Sequence, residues 1–368
     1  MVGVITWDLT HQALPAEGVQ APESVVAADG WIVTLDNRSG VASLVVHNLS
    51  TLEAEALVID GLSVDMNVSY HLQDHYLGVL TSSNISVYNL EDNGTMVLFK
   101  ETTGAQRINI IEYESSYALL YMQNKTIRGV SFDQTEVTGT FSQHEDIKLF
   151  EPNGFEVAYV SEQTPMVVSI SKIGFGEESH HLINATASID EDDLLESWGT
   201  PVDMLNASIT DIAFDSEFIA VTVNVSATDR LVMFHRETGE QWLLSNPKYQ
   251  AAQPSIGHGK MAWLAKDHLN PINPQEKYMD YELYFLDFEV NRTYLLTVDS
   301  LDQQSPQVLE EHIVYVEIDD DGISTVRIHS WEPTLQTYSS VVLQLGIVVG
   351  FFVSFIHIMQ RQKERRLS

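Results

Sequence analysis

The chain has 368 residues, 44% of them hydrophobic, which is enough for a large core and excludes a disordered or fibrous protein. It carries 19 Lys+Arg against 52 Asp+Glu, a net charge of -33, and no cation cluster that could displace the counterions of a phosphate backbone, so there is no nucleic-acid partner. The absence of cysteine removes disulfide frameworks, thiolate metal sites, iron–sulfur clusters and cysteine nucleophiles.

The N-terminus, MVGVITWDLTHQALPAEG, has no basic region, and Trp7 and Asp8 break its short apolar stretch, so it does not read as a signal peptide. The run over residues 3–9 reads as a lone strand instead. From there to residue 338 no helical periodicity of any length appears, while short β-branched and aromatic runs bounded by Gly, Asn, Asp and Ser recur. These runs form a repeating line. Seven times a strand (GWIVTLDN, HYLGVLTS, SYALLYMQ, FEVAYVSE, EFIAVTVN, KMAWLAKD, HIVYVEID) precedes a strand–turn–strand pair such as NISVYNLEDNGTMVLF or RLVMFHRETGEQWLL.

The copies recur every 40 to 45 residues or so, about four short strands per unit, which predicts an all-β chain: a seven-bladed β-propeller of four-stranded blades over residues 1–338. Radial closure removes the free edges that an open sheet of this size would present. An array of β-sandwiches, the alternative, repeats nearer 100 residues, roughly. The last unit shows three strands, Gln307 to Glu310, His312 to Asp319 and Thr325 to Trp331. The strand over 3–9 is therefore expected to supply the fourth and close the ring; the competing reading makes it the remnant of an eighth unit.

The lines QPSIGHGKMAWLA, YELYFLDFEVNRTYLL and SPQVLEEHIVYVEIDDDGISTVRIHSW resemble TolB-like and WD40-like propeller repeats, a resemblance extending over most of residues 20 to 335. It implies the fold, and since propellers serve as binding platforms and as catalytic scaffolds, it leaves the function open between them.

Two units are lengthened. One insertion, GEESHHLINATASIDEDDLLESWGTPVDMLNAS, contains Asp190, Glu191, Asp192 and Asp193; the other is KDHLNPINPQEKYMDYE. Each reads either as a binding loop on a rigid scaffold or as a solvated decoration.

Motifs with a chemical meaning are few. His71 and His75 flank a turn at Gln73 and Asp74 rather than one helical face, and with His180 and His181 they read as solvent-facing side chains. Gly257, Gly259 and Ala262 fit G-x-G-x-x-A, but KMAWLA is a strand where a dinucleotide site requires a helix. Asp319, Asp320, Asp321 and Gly322 read as a hairpin turn, with a calcium site as the alternative. No G-x-S-x-G elbow is present, and so many carboxylates occur that acid pairs are uninformative. No catalytic residue and no cofactor is assigned.

From Val341 to Met359 the chain reads VVLQLGIVVGFFVSFIHIM, without a formal charge, and predicts a transmembrane helix over 339–360. Gly346 and Gly350 form a small-xxx-small pair through which two such helices would dimerise. The tail 361–368 holds Arg361, Lys363, Arg365 and Arg366 and is expected in the cytoplasm, which places the acidic domain outside.

Ten of sixteen asparagines begin N-x-S/T: Asn37, Asn48, Asn67, Asn84, Asn93, Asn124, Asn184, Asn206, Asn224 and Asn291. Chance gives about two or three, so an N-glycosylated exterior is expected. Because the N-terminus conflicts with this topology, an upstream signal segment is expected to be missing or the start misassigned. The sequence thus predicts a single-pass plasma-membrane protein whose partners are the bilayer and a protein, peptide or glycan ligand. The alternatives are an extracytoplasmic hydrolase or lyase using carboxylates around the channel, or a subunit of a membrane-embedded assembly.

Overall fold

The computed structural model describes residues 11–13 and 25–330, leaving out 29, 37–42, 50–53, 58–68, 93, 114, 175–177, 184–206, 226–227, 245–249, 267–279, 290, 298–300 and 320–323. Two units divide the chain: Ala13–Ile328, and Met1–Gln12 with His329–Ser368.

Strand β1 (His11–Ala13) comes first. Six four-stranded sheets then follow in sequence order: β2 to β5 (Val26–Ala28, Trp31–Asp36, Ser43–Asn48, Ala54–Leu57), β6 to β9 (Ser69–Gln73, Tyr76–Leu80, Asn84–Asn89, Thr95–Glu101), and β10 to β13 (Ala105–Tyr113, Ser116–Gln123, Thr126–Ser131, Glu136–Val137). The next three are β14 to β17 (Ile147–Asn153, Glu156–Ser161, Val167–Lys172, Glu178–Leu182), β18 to β21 (Ser208–Phe214, Phe218–Val225, Thr228–His235, Gln241–Leu243), and β22 to β25 (Gln250–Gly257, Lys260–Lys266, Tyr281–Asp287, Arg292–Leu295). The seventh adds β26 to β28 (Asp302–Val308, His312–Ile318, Ser324–Ser330) and is ordered β1-β28-β27-β26. The chain is an all-β, seven-bladed propeller with four-stranded blades.

Each blade is pressed between two others, so its second strand buries both faces and reads as a continuous apolar run rather than an alternating one. β11, β15, β23 and β27 are buried at all but their end positions. The fourth strands β17, β21 and β25 meet water. Six apolar clusters each join neighbouring blades, around Leu44 and Leu77, Ile85 and Leu119, Phe141 and Tyr159, Ile170 and Ile219, Leu231 and Trp263, and Ile32 and Val314. The last of these packs the first blade on the seventh. At the junction of blades six and seven a polar set is buried: Thr297 Oγ1 accepts the Leu283 N–H at 2.8 Å and donates to Glu282 Oε2 at 2.7 Å.

One expected boundary is corrected. The last blade's first strand is β26, Asp302–Val308, not Gln307 to Glu310. Pro306 lacks an N–H and sits in a bulge of the ladder, so the sequence hides the strand's first half. The segment 3–9, the predicted span Val341–Met359 with Gly346 and Gly350, and the basic tail lie outside the described residues. Among the described residues no helix is long and apolar enough to cross a membrane.

Candidate functional site in the central channel

Inner strands β2, β6, β10, β14, β18, β22 and β26 line a channel of about 1100 Å³. Five of them bulge, at Arg107, Lys148, Thr210, Gln253 with Pro254, and Ser305 with Pro306. A bulge re-aims a side chain and bends its strand. Here several polar groups tie one inner strand to the next: Lys148 Nζ donates to the Ile209 carbonyl at 2.8 Å, Asn153 Nδ2 to the Phe214 carbonyl at 2.7 Å, and Ser255 Oγ accepts the Val308 N–H at 3.0 Å.

Three consecutive blades bring ionisable groups of both signs to the channel. β10 contributes Arg107 from its bulge, β14 contributes Glu151 and β18 contributes Asp211, and the buried Asn109 of β10 hydrogen-bonds to Glu151. Glu151 is half-buried in the channel wall, and that desolvation, with the Asp211 charge added, pushes its carboxyl up to about 8 against the pull of Arg107 and an Asn109 hydrogen bond. Desolvation likewise pushes Asp211 up to about 6, opposed by Arg107 and by the Ile212 N–H, which donates to Asp211 Oδ1 at 3.0 Å. At neutral pH Glu151 is therefore mainly a hydrogen-bond donor and Asp211 mainly an acceptor. With Arg107 and Asn109 they can hold a polar ligand from several sides, or donate and withdraw protons.

His71 is not solvent-facing as expected. It lines the channel wall, where its Nδ1 accepts the Ile110 N–H at 3.0 Å, and burial lowers its pKa to about 4. The reason is tertiary: the neighbouring inner strand covers it. His75 follows Asp74, whose φ of 52° makes the hairpin turn. His180 and His181 lie on β17, His180 Nδ1 being 2.9 Å from Ser169 Oγ. Gly257 ends β22 and Gly259 turns into β23, so this segment is a hairpin. Asp319 follows β27, while Asp320 and Asp321 lie outside the described residues; among the described residues no group of three or more His, Cys, Asp or Glu could hold a metal ion. Of the sequons, Asn48, Asn84, Asn124, Asn224 and Asn291 are described and stand apart from one another on blades one, two, three, five and six. Among the described residues, His71 alone of the acidic-turn and histidine candidates lines the channel.

Sequence reasoning missed Arg107, Asn109, Glu151 and Asp211. A signal was there: KLFEPN and ITDIAF each set a single carboxylate inside an apolar run just before a turn, a placement that an isolated strand has no reason to favour.

No protein-family model and no curated protein matches the chain. Solved structures do. The β-propeller domain of the Trilobed protease from Pyrococcus furiosus, described as having an open velcro topology, aligns over 84% of this chain and 95% of its own at 12% identity and a TM-score of 0.56. An oligogalacturonate lyase in complex with manganese aligns over 88% and 96% at 10% identity and a TM-score of 0.53. The Cps50 (Swd1) β-propeller domain of Myceliophteria thermophila aligns over 88% and 100%, also at 10% identity and 0.53. At such identities the likeness is one of fold.

Proposed function

We propose that this chain is a membrane-anchored, cell-surface propeller that binds a protein, peptide or glycan ligand at the channel cluster. The observation that carries the reading is the convergence of Arg107, Glu151 and Asp211 from three consecutive inner strands on one open channel, with the buried Asn109 hydrogen-bonded to Glu151. Few polar groups placed together in a large concavity are what fixes a ligand's orientation. The surface location is supported by the uncharged run Val341–Met359, the basic tail after it and the ten sequons. The test has two arms. Full-length chain is applied to glycan and peptide arrays; ligands retained by the wild type are lost by Arg107→Ala and by Asp211→Asn if the channel binds them, and retention by both variants refutes the reading. In intact cells, protease added outside should degrade the acidic domain and spare an epitope after Arg366; protection of the domain refutes the topology.

A second reading, a hydrolase or lyase, is favoured by one arrangement: Glu151 and Asp211 line the same channel, and their surroundings push the two carboxyls up to different extents, as an acid–base pair requires. A lyase is also among the structures of similar fold. Turnover of a retained ligand that stops in Glu151→Gln while binding persists decides for catalysis; a ligand recovered unchanged decides against it.

A further inference from the structure

Outside the channel, the longest fourth strand is anomalous. Among the described residues the outermost strands of the other blades run two to five residues, whereas β9 runs seven. Folded proteins blunt exposed strand edges by keeping them short and charged, because a free row of N–H and C=O groups recruits other chains. β9 does the reverse. No described strand pairs with its outer edge, and Met96, Val97 and Phe99 are 52%, 39% and 49% exposed, three of the seven large apolar side chains exposed among the described residues. Val97 is the extra residue of a bulge, after which the ladder is regular from Leu98 to Glu101.

Beside that edge lies a second cavity, about 620 Å³, between blades two and three. Phe99 and Lys100 of β9, Tyr121 of β11 and Arg128 of β12 line it, Tyr121 and Arg128 being cross-strand partners, and Asn84 stands at its margin, so the cleft is open to a peptide where Asn84 carries no glycan. Lys100 Nζ stands 5.8 Å from the centre of the Tyr121 ring, and neither Lys100 nor Arg128 has an ion-pair partner among the described residues. In a chain of net charge -33, a cleft lined by two cations without ion pairs against one carboxylate, Glu101, is a local reversal of sign. At physiological salt the screening length is about 8 Å, so this local pair, rather than the distant acidic surface, sets what the cleft attracts.

We propose that β9 and this cleft form a docking surface for an extended acidic peptide of a partner protein, which adds a strand to the β9 edge, covers Met96 and Phe99 with apolar side chains and directs its carboxylates to Lys100 and Arg128. Backbone pairing supplies adhesion without sequence preference; the cations and the alternating apolar positions supply the selectivity. A second copy of the chain is a poor occupant, because two strongly acidic domains would have to approach each other. The surface is separate from the channel and does not depend on what the channel binds.

The test is selection of short random peptides, displayed on phage, against the full chain and against a Lys100→Glu, Arg128→Glu variant. Selected peptides should combine alternating apolar residues with Asp or Glu. A synthetic copy should bind the wild type about tenfold more tightly than the charge-reversed variant, weaken as salt rises, and lose binding when alternate backbone nitrogens are N-methylated. Selection of no peptide, selection without acidic enrichment, equal affinity for both chains, or indifference to N-methylation overturns the proposal. So does self-association in sedimentation that Phe99→Ser abolishes, since β9 would then be an interface between copies.

Discussion

Gln253 and Ser305 occupy bulges on neighbouring inner strands, each with φ of 51° and each followed by proline, and the Gln253 side-chain carbonyl accepts the Ser305 N–H at 2.7 Å. The side chain thus replaces a ladder bond that the bulge in β26 removes, and joins blade six to blade seven. Gln253→Ala keeps the backbone demand of the site but loses the bond, so it should cost about 0.5–1.5 kcal/mol in urea unfolding. Gln253→Gly also loses the bond but adopts positive φ freely, and should be the more stable of the two by about 1 kcal/mol. An alanine variant as stable as the wild type would show that the bond contributes nothing.

Glu151 ties folding to pH. Its ordinary value is 4.5 and burial first, then the Asp211 charge, raises it to about 8 in the folded chain. The folded state therefore binds more protons between those values, and the stability linked to this group, full below pH 4.5, is lost as pH rises through 8. His71 works in the opposite sense: lowered to about 4 by burial, it contributes stability above its ordinary 6.5 that is lost as pH falls toward 4. Above pH 6.5 the Glu151 effect stands alone of the two. Melting temperature should fall from pH 6.5 to 8 in the wild type, and the fall should flatten in Glu151→Gln; parallel profiles would contradict the assignment.

Gly129 is held by close approach rather than by a turn. A Cβ there would lie 2.7 Å from both the Cβ and the carbonyl oxygen of Val137, the strand partner in β13. Since backbone cannot yield as a flexible side chain does, Gly129→Ala should destabilise the chain by about 1–3 kcal/mol. Wild-type stability in that variant would mean that β13 can move away.

The described sequons differ in availability. Asn124 and Asn291 are exposed turn residues with φ of 52° and 48°, each two residues before a threonine, whereas the Asn224 Nδ2 donates to Asp229 Oδ1 at 2.7 Å. Glycan transfer uses that side-chain nitrogen. For chain isolated from its own cells, glycopeptide mass spectrometry should find Asn124 and Asn291 occupied more fully than Asn224. Equal occupancy would place modification before folding, and absence of glycan from all of them would count against an exported domain.

The sequence by itself determined the repeat and counted seven units with an eighth left open; the seven sheets closed that choice. The repeat was legible through the second and third strands, because a sheet pressed on both faces demands runs such as ALLYM and VAYV, and no partner information is needed to read them. Only the tertiary structure decided what the inner strands do. Arg107 and Asn109 on β10, Glu151 on β14 and Asp211 on β18 name no shared site one at a time, and each of these strands is bulged, so it does not alternate as a strand should. Ring closure brings them together and shields them, and that shielding raises the pKa values of Glu151 and Asp211. His71 makes the same point in reverse: in sequence it is a polar residue near a turn, and only in the ring is it buried, which lowers its pKa to about 4, and set to accept the next blade's Ile110 N–H.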